Sequence, residues 1–530
     1  MRKFLFCLTL FFVQYLHAQS KYFIYFTDKN GVQFNAFEYF DVKAIERRIR
    51  EGIALADTTD FPVKTEYIHS IVSLCDSTAF TSRWLNGMSV FATHEQISAI
   101  QLLPFVKHIE CMQAEPTLVA QPMMQIQSAS LHEAQLALLR FQTYRHQAEA
   151  FTGEGIDGSG IRIAVFDVGF PGVDTHPAFE HLRIQHKIIG AYDFIGNDEN
   201  PYHGNAHGTS CLSCIAGYYD TIAIGLATGA EFLLAKTERM YTEFQSEEDA
   251  WLAAAEWADK NGADIISSSL GYTKQRYHPA QMNGNVSLVA KAAKMASEKG
   301  ILVVNAAGNE GDGIWEYLAT PADVEEVMSV GGIDPYTDAH ISFSSFGPNA
   351  DYKRKPNVVS LGQTVAANAK DYETAFGTSF ATPLVAGFAA CAWQKNKHMS
   401  RSEIFNAIER SAHLFPYYDY AHGYGVPLAS YFTNTSVVSV EPTFTLKNFV
   451  VDSGYILLEI DTTRFTVTDL EEQKNLYYNF SDAQGKIIYF SVLVPDNHQI
   501  KIYAPSAVNN ARDYFLHVHF EKYTFTLPIN

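Results

Sequence analysis

The sequence predicts an α/β fold on a mainly parallel sheet, preceded by an α+β unit and followed by a small β-sandwich. Three observations carry this. Short, largely apolar and β-branched runs, such as 161–166 and 301–304, have the pattern of strands covered on both faces. Helical stretches separate these runs, as connections between parallel strands require. From about Val437 the chain changes to period-two alternation in short segments (455–460, 486–493, 499–503 and 514–520), which reads as antiparallel sheet. At 530 residues, 47% hydrophobic and 18% charged, the chain is long and apolar enough for several cored domains. The net charge of −19 argues against nucleic-acid partners and against docking on anionic membranes.

Residues 1–18 read as an export signal. Arg2-Lys3 is a charged start, 4–13 an apolar stretch, and Leu16-His17-Ala18 a small-residue cleavage site before Gln19. The stretch is shorter than the ~20 residues a membrane span needs, and no later run reaches that length. Cys7 leaves with the signal. Cys75, Cys111, Cys211, Cys214 and Cys391 remain, an odd set that defines no disulfide framework.

Residues 19–115 are expected to form the α+β unit. A strand at 21–26 leads to an amphipathic helix at 41–51 with Asp41 as N-cap. The Arg47-Arg48 pair reads as the solvated face of that helix, with a dibasic cleavage site as the alternative. A strand at 83–92, a helix at 93–102 with a Thr93/Gln96 capping box, and a strand at 105–112 follow. The order suggests a split βαβ, ferredoxin-like unit; a generic α+β module is the alternative. Residues 113–150 show no strong periodicity, and a maturation cut is expected in their first half.

The candidate chemistry centres on Gly377-Thr378-Ser379-Phe380-Ala381-Thr382-Pro383, where a polar loop turns into a small-residue helix. A helix start offers unpaired N–H groups and a positive dipole end to a forming oxyanion. Ala381 excludes the Gly-x-Ser-x-Gly elbow. Asp167 ends the apolar run 161–166, where open α/β sheets place ligands; it is either a helix N-cap or a group that orients a histidine. His207-Gly208-Thr209-Ser210-Cys211 opens a second small-residue helix, whereas no such helix follows His203. Cys211 and Cys214 form a Cys-x-x-Cys, read either as redox or metal chemistry or as small buried thiols beneath His207. Ser269-Leu270-Gly271 ends a further apolar run, and Asn309 follows the strand at 301–306, inside which Asn305 is a structural polar group.

Together these segments resemble the subtilisin-like serine proteases (subtilases). Asp, His and Ser stand in the family's order, and the match covers residues 83–112 and 150–430. The resemblance implies a three-layer subtilisin-like domain over 116–432, with the inhibitory propeptide at 19–115 as its own intramolecular partner. It implies Asp167, His207 and Ser379 as catalytic triad and Asn309 as oxyanion donor. It assigns the substrate edge, open to an extended polypeptide as an added strand, to Ser269, Leu270, Gly271 and Gly308. Val168 departs from the family's Ser or Thr, Ser210 from a frequent second histidine, and Phe380 from the usual methionine. No cofactor is required. The compact segment 215–230 lacks the inserted loop of a strong calcium site, so metal is not predicted, although other structural calcium sites remain open. A cysteine at position 211, as in some subtilases, implies sensitivity to mercurials. A binding protein without turnover and an enzyme limited to self-processing are the rival readings.

The sandwich, 437–530, resembles a type IX secretion sorting domain in Asp482-Ala483-Gln484-Gly485-Lys486 and Asp513-Tyr514-Phe515-Leu516-His517-Val518, which would engage secretion machinery. The Pro-Asn-Pro that often opens such domains is missing. A stabilising or carbohydrate-binding sandwich is the alternative.

Overall fold

The structure is a computed structural model that describes residues 19–112, 117–118, 130–239, 242–243, 247–274, 276–434, 440–450, 455–465, 474–505 and 514–529. The export signal at 1–18 lies outside the described residues. The chain divides into two compact units, one of residues up to Phe34 with Thr58–Gln113, the other of Asn35–Asp57 with everything from Ala114 onward.

In the first unit, strands Ser20–Phe26, Ser77–Ser82, Gly87–Ala92 and Val106–Cys111 form an antiparallel sheet in the order second, third, first, fourth. Helices Thr65–Val72 and His94–Gln101 supply the crossovers, and Thr93 and Gln96 form the expected capping box. Ile24, Phe26, Ile71, Met88, Val90 and Ile100 make the core. This is the ferredoxin-like order, but its first helix is Thr65–Val72.

The helix expected in that place, α1 (Val42–Glu51), belongs to the second unit. Its Arg47 and Arg48 are fully buried and both pair with Asp259, so neither the solvated-face nor the cleavage-site reading holds. Amphipathic periodicity assigns charges to water; here a carboxylate far along the chain takes them.

The second unit is organised around seven parallel strands: β1 (Arg162–Asp167), β2 (Ile188–Asp193), β3 (Glu231–Lys236), β4 (Ile265–Ser268), β5 (Leu302–Ala306), β6 (Met328–Ile333) and β7 (Val358–Leu361). Their order is β7-β6-β5-β4-β1-β3-β2. From β1 the chain goes to the edge strand β2, returns inward to β3 beside β1, then crosses over to lay down β4 to β7 in turn on the other side, so β1 sits where the strand order reverses, the place where such sheets bind ligands. Four helices frame it: α2 (His207–Ala216), α3 (Glu248–Lys260), α4 (Leu288–Glu298) and α5 (Thr378–Lys395). Every residue of α5 from Thr378 to Trp393 is buried, which its run of small and apolar side chains permits.

The C-terminal region folds as two facing sheets. One holds Phe444–Val450, Tyr455–Ile460 and Gln499–Tyr503, the other Leu476–Ser481, Ile487–Leu493, Tyr514–Phe520 and Tyr523–Ile529. Leu458, Ile460 and Ile502 from the first meet Leu476, Phe480, Leu516 and Val518 from the second. The five cysteines of the described chain are free thiols. Among the described residues no helix is long and apolar enough to cross a membrane.

Buried histidines contribute an acid-sensitive part of this unit's stability. Burial pushes His146, His340 and His519 down to about 4. Each of these three histidines therefore binds a proton more readily in the unfolded chain between pH 6.5 and 4, so its own contribution to stability falls as pH falls across that window by about 1.4 kcal/mol per pH unit, while buried carboxylates with raised pKa act in the opposite sense. Urea midpoints measured from pH 7 to pH 4 should fall less steeply in a His340→Gln chain than in the parent; equal slopes would contradict this assignment.

Candidate active site

Asp167 is the last residue of β1, and its side chain is fully buried. Its Oδ1 accepts from the Val168 N–H at 2.8 Å and lies 2.7 Å from His207 Nδ1. Its Oδ2 is buried and accepts no bond among the described residues. That orphaned oxygen accords with Val168, which has no hydroxyl where a Ser or Thr was expected. His207 is the first residue of α2, its N–H held by Asn205 Oδ1 at 2.9 Å. Burial opposes the charged imidazole, but the Asp167 carboxylate, with Glu238 and Glu373 behind it, outweighs burial and raises the His207 pKa above its ordinary value. His203 stands apart from this pair, beside Asp193 and Lys236.

Ser379 is the second residue of α5, entered from Gly377 at φ 145°. Pro383 lies four residues on and has no N–H, so the Ser379 carbonyl lacks its intrahelical donor. Two side chains replace it: Ser269 Oγ donates at 2.7 Å and Cys211 Sγ at 3.4 Å. Cys211 Sγ also lies 3.7 Å from His207 Nδ1, and the Phe380 ring centroid lies 5.4 Å from that of His207. The α2 and α5 starts are thus neighbours. The Ser379 hydroxyl donates to Ser269 O at 3.2 Å. Burial, with the Asp167 charge adding to it, pushes the Cys211 thiol well above the usual range.

Asn309 follows β5 and Gly308, the latter at φ 116°. Its Oδ1 accepts from both the N–H and the hydroxyl of Thr378 at 2.9 Å. With its oxygen so engaged, the amide presents its NH₂ as the available end. Gly308 N–H donates to Thr378 Oγ1 at 3.3 Å, so Thr378 fixes both residues against the start of α5.

The substrate edge expected at 269–271 is less open than anticipated. Ser269 and Leu270 are each 7% exposed. Their carbonyls already accept, Ser269 O from the Ser379 hydroxyl and Leu270 O from Asn305 Nδ2 at 2.9 Å. An added strand appears instead at 242–243, where residues 117–118 pair antiparallel, Thr242 opposite Leu118 and Glu243 opposite Thr117.

The sequence reading missed Thr378 and two buried carboxylates. Burial pushes Glu238 up to about 7, opposed by the nearby Tyr272 hydroxyl and the charge of Arg276. Glu373 accepts from Ser210 Oγ at 3.2 Å, and burial raises its pKa. Glu238 follows β3 as Asp167 ends β1, so the rule that singled out the one was available for the other.

Residues 158–431 match the Subtilase family, and residues 21–128 match the Peptidase S8 propeptide domain of Bacteroidota. The chain belongs to the subtilase family and is a serine endopeptidase made with a propeptide. It is 30% identical over 328 residues to M-protease of Shouchella clausii, covering 61% of this chain and 73% of that protein. It is 31% identical over 271 residues to Subtilisin Savinase of Lederbergia lenta (51% and 89%), and 33% identical over 261 residues to Thermitase of Thermoactinomyces vulgaris (48% and 82%).

Ser269→Ala should cost about 1 kcal/mol by removing a donor from the Ser379 carbonyl. In a Pro383→Ala background the same change should cost less, because the new N–H at 383 reaches that carbonyl. Urea midpoints of the four chains check the cycle, and equal losses in both backgrounds would refute it.

Proposed function

We propose that the chain is a secreted enzyme that hydrolyses polypeptides through an acyl-enzyme on Ser379 and is made as a self-inhibited zymogen. The observation that carries this reading is the 2.7 Å approach of His207 to Asp167 beside a helix start bearing Ser379. The Ser379 hydroxyl turns from Ser269 O toward His207 Nε2, which takes its proton as Oγ attacks the substrate carbonyl carbon. Asp167 holds Nδ1–H and stabilises the imidazolium. The oxyanion accepts from the Asn309 NH₂ and from the Ser379 N–H, which as a first-turn amide has no partner within its helix. Collapse expels the amine, which takes the proton from His207. Water then attacks the ester with the same groups reversed, releasing the acid and restoring Ser379. No step is routed through a metal or cofactor.

A fluorophosphonate should label the matured chain and fail to label Ser379→Ala. Labelling that survives the substitution would sink the assignment, and labelling without casein hydrolysis would confine the enzyme to self-processing. Asn309→Ala should lower kcat about 10²–10³-fold with little change in KM.

The base must be neutral to accept a proton, so kcat/KM should rise with pH through the His207 pKa, above 6.5. Asp167→Asn removes the chief cause of the raised value, so the acid limb should move to lower pH while kcat falls about 10⁴-fold. An unmoved limb would argue that His207 is not the titrating group.

The strand formed by 117–118 supports a tail that occupies an edge of the peptidase unit before release. We place the maturation cut between Leu118 and Ser130. Intact mass of the active form should give a catalytic chain that begins inside that interval. Export through residues 1–18, with the sandwich as the part that engages secretion machinery, completes this reading.

A further inference from the structure

Helix α1 lies within the propeptide match, yet it is built into the second unit, where two of that unit's helices end. α3 and α4 run out at Lys260 and Glu298, followed by Gly262 and Gly300 at φ 71° and 85°. Helix C-termini leave carbonyls without intrahelical donors and carry partial negative charge. Arg47 adds donors to carbonyls at and just beyond these two ends. Its Nε gives to Lys299 O at 3.1 Å, one terminal nitrogen gives to Ala263 O, and the other gives to Asp259 O at 3.3 Å and to the Asp259 carboxylate. Arg48 forks onto the same carboxylate at 3.0 and 2.8 Å. The two guanidinium side chains are 0% exposed and Asp259 2%.

The rest of the segment is seated as closely. Both terminal nitrogens of Arg50 reach Asp264 Oδ1 at 3.2 Å, and its guanidinium lies 4.4 Å from the Trp393 ring centroid. The Asp41 N–H donates to Lys260 O at 2.9 Å, Glu51 accepts from the Arg401 N–H at 2.8 Å, and Asp57 pairs with Lys299 at 3.0 Å. A Cβ at Gly262 would lie 2.7 Å from Lys43 Cβ, and one at Gly300 would run into Glu51.

Withdrawing such a segment takes donors away from the carbonyls of Asp259, Lys260, Ala263 and Lys299 and strips a carboxylate of both its cations, and breaking a buried pair in this way is strongly unfavourable. A segment that served only to block a site would need none of these contacts. We propose that residues 35–57 are a permanent component of the catalytic unit: after the chain is cut on both sides of them and before Ser130, they stay bound as a separate short chain while 20–34 and 58–112 leave. Each cut consumes one water and yields a carboxylate and an amine. The inference does not rest on the proposed catalytic roles, because another protease can make the cuts.

The test uses a Ser379→Ala chain with a foreign protease's recognition sequence at the exposed Gly31, at the exposed Thr58 and between Leu118 and Ser130. After digestion, gel filtration and native mass spectrometry should find the 35–57 peptide at one to one with the 130–530 chain, separating only in denaturant. A folded large fragment eluting without the peptide would overturn the proposal. If the modified chain does not fold, trypsin is applied to the Ser379→Ala chain without insertions. Cleavage after Arg47 and Arg48 should then be at least ~100-fold slower than in the free 35–57 peptide, and equal rates would overturn the proposal.

Discussion

The site depends on how closely the first turn of α2 approaches the end of β1. Asp167 and His207 are 40 residues apart and meet at 2.7 Å because glycines stand where the backbones touch. A Cβ at Gly208 would lie 2.8 Å from Asp167 Cβ and would collide with Gly169 O; one at Gly169, where φ is 139°, would collide with His203 O. Any side chain there lifts the helix off the strand end and separates acid from base, whatever the rest of the fold does. The His-Gly and Asp-x-Gly pairs are in that sense steric conditions on a hydrogen bond.

The nucleophile's surroundings follow from a second local rule. A proline in the second turn of α5 removes one helix hydrogen bond and exposes the Ser379 carbonyl to side-chain donors from two other elements. Ser269, at the end of β4, both donates to that carbonyl and accepts from the Ser379 hydroxyl. The strand end, the α2 thiol and the α5 serine are therefore locked together before any substrate arrives, which is the preorganisation an acyl-transfer site needs. Glu238 and Glu373, buried behind His207, bias the same region toward positive charge on the imidazole.

What could be read from the sequence was whatever short-range pattern dictates. Apolar runs marked the central strands, small-residue stretches marked α2 and α5, and a polar group at each strand or helix end marked Asp167, His207, Asn309 and Ser379. Pairing across the chain could not be read. Arg47 and Arg48 looked solvated because helical periodicity carries no knowledge of Asp259. Helix Thr65–Val72 was passed over beside the more strongly patterned α1. The burial of Ser269 and Leu270 could not be read either, because it is set by residues remote in sequence, Ser379 and Asn305 among them, that pack at the end of β4. Thr378 was seen only as part of a loop, although it is what orients the Asn309 amide.

The antiparallel pairing of 117–118 with 242–243 is made by a segment covalently tethered to the sheet it joins. A tether of this kind gives its strand an effective local concentration on the order of millimolar. A free peptide of equal intrinsic affinity, present at about micromolar, would hold that edge in roughly one molecule in a thousand. Severing a single backbone bond converts this contest from an intramolecular to a bimolecular one, with dilution alone then favouring the stranger.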